Sequence, residues 1–452
     1  MNPPRKDEII SVKIDGLGHH GEGVGRLNGF TIFVEGALHG EIVKAKVVES
    51  RKRYGVAELI QVLSSTPDRI IPSCHLFGEC GGCQLMHLFY SKQLEVKQQK
   101  VIDALRRIGK IEDCEVAPCI PSPSSLNYRN KIQLPVRKGK EGNITIGLYS
   151  RSSHDIVEVK TCHIHCSLGE QVLHDVRSFI LQLGIEPFDP IKQTGELRHL
   201  LIKSAINTKE ALVIFVTNGK PSSLLLKLAN EIMKKNPVIK GVVHNIQSGP
   251  TNVILGPVFE ILEGNGFIHE NLCGLTFKIS PASFFQVNPD QAEQLYLKAL
   301  EFSALTGHET ILDAYCGVGT LSLLFAKQAK KVIGVECVNQ SIIDAEENAR
   351  LNRISNAFFT CAAAEDFISC LSSIDVVLLN PPRQGCDRRL LEEIGKLSAK
   401  KVIYISCDPA TLARDLAHLK ASGYKIDAVQ PFDMFPQTAH VECVVKLSFP
   451  NE

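Results

Sequence analysis

Apolar and polar residues alternate at the start of the chain. IISVKI, FTIFVEGA, EIVKAKVVES and GVAELIQVL each read as a β-strand with one apolar face. The Gly-rich stretch GLGHHGEGVGRLNG between the first two reads as a turn, so residues 1–63 are expected to form a small β-barrel. Residues 64–90 lack periodicity and read as loop. SKQLEVKQQKVIDALRRIG changes to helical spacing, with Leu94, Val101, Leu105 and Ile108 on one face and Gly109 at its end. From about 127 to 270 the pattern is again largely β. NKIQLPVR and NITIGLYS flank a KGKEGN turn, HLLIKSAIN and EALVIFVTNG follow, and one helix is expected near SSLLLKLANEIMKK.

Beyond about 271 the rhythm becomes strand, loop, helix. TILDAYCG leads to TLSLLFAKQA, KKVIGVEC to QSIIDAEENARLN, IDVVLLNPPR to RRLLEEIGKL, and KKVIYISC to PATLARDLAHLKASG, with HVECVVKLSF as a final strand. Such alternation predicts a parallel, doubly wound sheet. The fold class is thus multidomain α/β. Residues 1–63 form an OB-like barrel, 64–270 a mainly β central domain, and 271–452 a Rossmann-like domain on which 92–124 is expected to pack. A length of 452 residues suits two or three domains.

Composition narrows the class. Hydrophobic residues at 44% and charged residues at 22% exclude wholesale disorder, and no apolar run approaches the ~18 residues of a membrane span. The acids in MNPPRKDEII argue against a secretory leader, so the 15 cysteines are expected to be reduced in the cytoplasm, some as ligands or nucleophiles and many simply buried. The net charge of +1 is neutral on the question of a polyanionic partner. Locally, Lys92 to Lys140 hold 11 basic against 5 acidic residues, which fits an RNA-facing surface or a solvated basic face. Arg51-Lys52-Arg53-Tyr54 adds a basic loop with an aromatic suited to RNA.

The candidate chemistry lies at strand ends. In LDAYCGVGT, Gly317 and Gly319 let the backbone approach a ligand where strand meets helix. The third glycine of a dinucleotide fingerprint would fall at Ser322, which argues against NAD or FAD. Glu336, 23 positions beyond Asp313, ends the next strand, where a carboxylate can accept both ribose hydroxyls of an adenosyl group. Asn380-Pro381-Pro382-Arg383 ends another, its prolines fixing a turn that presents Asn380. Each element alone also occurs as a plain turn or solvated strand end; in this order they point to S-adenosylmethionine.

Two further groups suit covalent chemistry. Cys407 stands just before Pro409 at a helix start, where the helix field favours thiolate, but Asp408 opposes it and leaves the net shift open. Glu442 lies between Val441 and Cys443, and an unpaired carboxylate among apolar neighbours has a raised pKa suited to proton abstraction. The plain alternatives are a structural cysteine and a strand-edge carboxylate. Cys74, Cys80 and Cys83 in a Gly-rich loop, with CHIHC at 162–166, have spacing suited to zinc or to an iron–sulfur cluster, the alternative being unligated thiols.

FFQVN (284–288), DAYCGVGT, NPPRQG, SCDPATLARDL and MFPQTAHVEC stand in the order found in bacterial RNA uracil-C5 methyltransferases, and the chain resembles that family over essentially its whole length. Its N-terminus resembles a TRAM barrel, and CHLFGECGGCQLMH resembles the family's cluster loop. The resemblance implies S-adenosylmethionine held by Gln286, Tyr315, Gly317, Gly319, Glu336 and Asn380, with Cys407 as nucleophile and Glu442 as general base. It implies a 4Fe–4S cluster on Cys74, Cys80, Cys83 and Cys162, with His163, His165 and Cys166 outside the set. The barrel and cluster loop are similar to the branch acting on 23S rRNA. The same chemistry on tRNA, methylation of a protein amide, and a non-catalytic iron–sulfur RNA-binding protein are the alternatives. Two positions depart from the family pattern: Asn380 replaces a common Asp, and the alanines of CAAAEDF replace a polar residue, leaving adenine contacts there to the backbone. RNA is the implied partner, with no membrane or protein partner.

Overall fold

A computed structural model describes residues 3–139, 142–151, 153, 155–249 and 251–450. The N-terminal strands Ile9–Leu17, Gly23–Leu27, Phe30–Glu35, Ile42–Ser50 and Tyr54–Ser64 close into a barrel around Val12, Ile14, Ile32, Val34, Val43 and Val47. The strand Gly23–Leu27 lies inside the stretch expected to be a turn. Its glycines serve close approach: a Cβ on Gly25 would sit 2.2 Å from the Lys13 carbonyl, and one on Gly23 2.8 Å from that of Ala37. Gly21, at the tip of the first loop, packs against Leu85 and Ala439, so the barrel abuts two distant parts of the chain.

The expected helix forms as Tyr90–Ala104 and continues as a wider π-turn, Leu105–Gly109. That widening rotates Ile108 off the apolar face into solvent, contrary to expectation, and buries Gly109 instead. Leu105 and Val101 join Ile111, Val116 and Cys119 in the core of the C-terminal domain.

The central sheet has seven strands in the order Val258–Gly264, Ile239–Ile246, Glu210–Thr217, Leu197–Ala205, Lys131–Lys138, Ile144–Tyr149 and Ile156–Glu158. Two helices cover it rather than one. Besides the expected Ser223–Lys235, Ser167–Leu183 buries Val172, Leu173, Val176 and Ile180 on the same core, capped by Cys166 and ended by left-handed Gly184. Of the turn expected at 138–143, Lys140 and Glu141 lie outside the described residues.

The C-terminal sheet runs Ala357–Cys361, Lys331–Glu336, Thr310–Asp313, Val376–Leu379, Lys401–Ser406, Glu442–Ser448 and Lys425–Phe432. The first five are parallel; the last two form an antiparallel pair at one edge, so the sheet is mixed rather than wholly parallel. Strand order reverses between Thr310–Asp313 and Val376–Leu379, and a crevice opens at that switch point. Among the described residues no helix is long and apolar enough to cross a membrane.

Candidate active site and thiol chamber

A cleft of about 1190 Å³ opens over the C-terminal edge of this sheet. Gln286, Tyr315, Gly317, Glu336, Asn380, Cys407 and Glu442 all line it. Gly317 has φ +53°, and a Cβ there would meet nothing within 4 Å. Gly319 differs: it takes φ +82° at the start of helix Thr320–Ala326, packs on Ala345 and Phe359, and does not line the cleft. It shapes the turn rather than contacting what the turn holds. At the Glu336 strand end, Oε1 accepts from the Val338 N–H at 2.9 Å. Asp313 beneath the glycine loop is buried, which pushes its carboxyl up to about 6 although Ser322 donates to it at 2.6 Å.

Sheet register brings the thiol and the carboxylate together. Lys401–Ser406 pairs antiparallel with Glu442–Ser448, Ser406 opposite Cys443, so the next step sets Cys407 beside Glu442. Glu442 is buried and its Oε2 has no hydrogen-bond partner; desolvation pushes the carboxyl up to about 8. The Cys407 thiol, half-buried, is pushed up to about 11 by burial and then by the Glu442 charge, with Arg383 opposing. The helix N-terminus does not rescue the thiolate. Asp408 takes it, accepting from Ala410 N–H at 2.8 Å and Thr411 N–H at 3.1 Å.

Among the other side chains that line the same cleft without having been assigned from sequence are Phe284, Arg383, Phe435 and His440. They lie within the motifs that carry the assigned residues. Phe284 is 69% exposed at the rim, an aromatic face open to a base. Burial, aided by Arg383, holds His440 down to about 4, so its imidazole is neutral at physiological pH.

The basic stretch 92–140 is partly turned inward and partly paired at the surface. Lys97 is buried in an ion pair with Asp433, Lys100 donates to the Ala439 and His19 carbonyls, and Lys92 and Arg107 pair with Glu95 and Asp103. In the barrel loop, Arg51 is held by Glu49 at 2.6 Å and lies over the Tyr54 ring.

Cys74, Cys80, Cys83 and Cys162 line one small chamber with Leu76, Phe77, Met86, Leu148 and Ile164. Burial and then neighbouring thiols push Cys83 up to about 12. Among the described residues, however, no three or more His, Cys, Asp or Glu side chains stand as ligands of a metal ion. The four cysteines expected to carry a metal site are thus found as a set of thiols around one apolar chamber. Cys166 lies apart as a helix cap, its Sγ accepting from Gly169 N–H at 3.4 Å.

A switch-point crevice with a Gly-rich first loop and an acidic second strand end is the nucleotide-cofactor site of the Rossmann-like class. Residues 272–449 match the tRNA (Uracil-5-)-methyltransferase family and residues 6–60 the TRAM domain. Two curated relatives, both described as uncharacterized RNA methyltransferases, come from Halalkalibacterium halodurans (42% identical, covering 99% of each chain) and Clostridium tetani (40%, covering 99% of this chain and 98% of that one). Among solved structures, the Pyrococcus abyssi tRNA (uracil-54, C5)-methyltransferase in complex with S-adenosyl-L-homocysteine is 30% identical, with a TM-score of 0.77 over 97% of this chain and 100% of that one. The chain belongs to the RNA (uracil-5-)-methyltransferase family and is an S-adenosylmethionine-dependent enzyme. That assignment sets aside the protein-amide and non-catalytic alternatives.

Proposed function

We propose that the chain methylates C5 of a uridine in 23S rRNA through a covalent bond between Cys407 and C6 of the base, with Glu442 removing the C5 proton. The observation that carries this reading is the register that sets Cys407 beside buried, unpartnered Glu442 in the cleft. Uracil C5 is a weak nucleophile. Addition of the Cys407 thiolate to C6 makes the ring an enolate, nucleophilic at C5. S-adenosylmethionine would supply the electrophilic methyl, its S–CH3 bond breaking as C5 bonds the methyl and S-adenosylhomocysteine leaving; Gln286, Tyr315, Gly317, Glu336 and Asn380 would hold it, and Gly319 sets the loop. Glu442 then takes the C5 proton, the C5–C6 double bond re-forms, and the thiolate leaves. The base reaches the cleft only when flipped from its stack, and the Phe284 ring at the rim suits stacking on it.

In this reading residues 1–63 and 64–270 grip RNA, 271–452 carry out the chemistry, and the enzyme works in the cytoplasm. Cys74, Cys80, Cys83 and Cys162 hold a 4Fe–4S cluster in a structural role. Four thiols facing one apolar chamber have the donor chemistry for it, and no step of the reaction uses it. Iron and acid-labile sulfide content of anaerobically purified protein tests this; protein lacking both while folded and active rejects it.

The deciding experiment offers labelled S-adenosylmethionine with separated rRNA and tRNA from a strain lacking 5-methyluridine. 5-Methyluridine in rRNA, abolished by Cys407→Ala, is expected. Product in tRNA alone selects the second reading, which the likeness to the Pyrococcus abyssi tRNA enzyme favours.

A further inference from the structure

The segment between strands Lys425–Phe432 and Glu442–Ser448 carries Phe435 and His440 into the cleft and delivers Glu442. Its carbonyls lie outside the sheet ladder, so each needs another donor; Thr438 Oγ1 gives one to Phe435 at 2.7 Å and Asn288 Nδ2 one to Met434 at 3.2 Å, and the others come from further off. The Phe435 carbonyl accepts from Lys97 Nζ at 3.0 Å, the Pro436 carbonyl from Tyr128 Oη at 3.0 Å, and the Ala439 carbonyl from Lys100 Nζ at 2.8 Å. The Gln437 carbonyl accepts from the Gln84 and Leu85 N–H groups, both at 2.9 Å, while the Gln437 N–H donates to Gln93 Oε1 at 3.1 Å. These further partners all lie in residues 84–128, outside the sheet that carries out the chemistry. Gln93, Lys97 and Lys100 are spaced four and three apart, so they share one face of helix Tyr90–Ala104.

Lys97 is the anchor of the three. Its ammonium and the Asp433 carboxylate are both fully buried and paired, at the position where the segment leaves its strand. A fold in need of bulk alone would be served by two apolar side chains there. The pair instead leaves the ammonium a further proton to donate to the Phe435 carbonyl.

We infer that Gln93, Lys97 and Lys100 are positioning residues for methyl transfer: they hold the 433–441 segment on the course that aims Glu442 at C5. The inference rests on Glu442 being the base. Its first consequence is selective. Thiolate addition and methylation precede proton removal, so a mis-aimed Glu442 lets both proceed and traps the methylated base on Cys407.

The test uses the full-length enzyme and unmodified RNA, with three variants. Lys97→Met/Asp433→Leu removes both buried charges together, keeping the interior matched while deleting the one donor that ties the Phe435 carbonyl to helix Tyr90–Ala104 and leaving it Thr438 alone. Lys100→Met removes a donor at the periphery. Glu442→Gln is the reference. Measured quantities are turnover, S-adenosylmethionine affinity, thermal midpoint, and the denaturation-resistant protein–RNA adduct bearing transferred methyl. The double variant is expected to turn over at least tenfold more slowly, with donor affinity within twofold and adduct raised at least threefold. Lys100→Met is expected to move the same way by a smaller factor.

Turnover within twofold of the parent in both variants overturns the inference. So does slow turnover without adduct while Glu442→Gln accumulates it. Failure of both variants to fold makes the helix a scaffold and likewise overturns it. If Glu442→Gln itself accumulates no adduct, the base assignment falls, and this inference with it.

Discussion

Replacing Glu442 with Gln exchanges a carboxyl that ionises at about 8 for a neutral group of the same shape. The unfolded chain gives this carboxyl up near its ordinary value of 4.5, so between the two values the folded protein holds a proton that the unfolded one has lost. Stability from this source is whole below pH 4.5 and falls as pH rises toward 8, beyond which the loss is complete. At 1.36 kcal/mol per unit, wild type should lose roughly 3–4 kcal/mol between pH 5 and pH 8 that the Gln variant does not lose. Local relaxation and entering water reduce that figure, so about 2 kcal/mol is a firmer floor. For a domain of this size, 1 kcal/mol moves a melting midpoint by about 2–4 °C. The C-terminal transition of Glu442→Gln should therefore melt several degrees above wild type at pH 8 and close to it at pH 5. Scanning calorimetry of both proteins across that range measures the difference, and subtracting one from the other removes every other titrating group. A difference that stays flat within about 1 °C from pH 5 to 8 would refute an unpaired, desolvated carboxyl at Glu442.

Activity should follow the same group in the opposite sense, because the base must be ionised: kcat is expected to rise steeply with pH up to about 8, where Glu442 ionises, and less steeply above it as the Cys407 thiol goes on losing its proton, and a profile flat from pH 6 to 9 excludes Glu442 as the base. Glu336→Gln keeps the shape of the strand end but removes its charge, and should weaken S-adenosylhomocysteine binding by about 1–2 kcal/mol, or 5- to 30-fold, by isothermal titration; unchanged affinity removes Glu336 from the cofactor set. Gly25→Ala places a Cβ 2.2 Å from the Lys13 carbonyl, so two barrel strands must part. RNA affinity should fall while S-adenosylhomocysteine binding stays within twofold, and equal loss of both would mean that the barrel supports the whole molecule.

Where a residue's job follows from its neighbours in sequence, the chain was legible. Strand ends rich in Val and Ile followed by Gly-Val-Gly, Asn-Pro-Pro or Cys-Asp-Pro mark loops on one sheet edge, and seven of the eight proposed cofactor and catalytic residues do line one cleft. The exception, Gly319, carries a signal that packing and ligand approach share: both require a missing Cβ. The same ambiguity hid strand Gly23–Leu27, whose glycines make room for neighbouring backbone while looking like a turn. Ser167–Leu183 escaped notice because its apolar positions are broken up by Gly169, His174 and Arg177, although Val172, Val176 and Ile180 keep the helical spacing. Two lysines of the basic stretch after Lys92 depart from the sequence reading. Charge is read as exposure, yet Lys97 and Lys100 spend theirs on partners more than 330 residues away.

Those distant partners follow from what the site demands. Parallel strands all end at one edge, so they can supply that edge only with residues from their C-terminal ends. Cys407 arrives this way, just past Lys401–Ser406. A second group beside it can come from the end of a parallel neighbour, as Asn380 does, or from the start of an antiparallel one. Glu442 is the first residue of such a strand. The chain must then approach the active edge from outside the sheet, through the nine residues 433–441, with no ladder to satisfy their backbone. Placing an acid beside the thiol thus creates a run of unpaired carbonyls next to the chemistry. The helix Tyr90–Ala104, from another part of the chain, supplies two ammonium groups to meet them, and its Gln93 side-chain oxygen accepts from the Gln437 N–H.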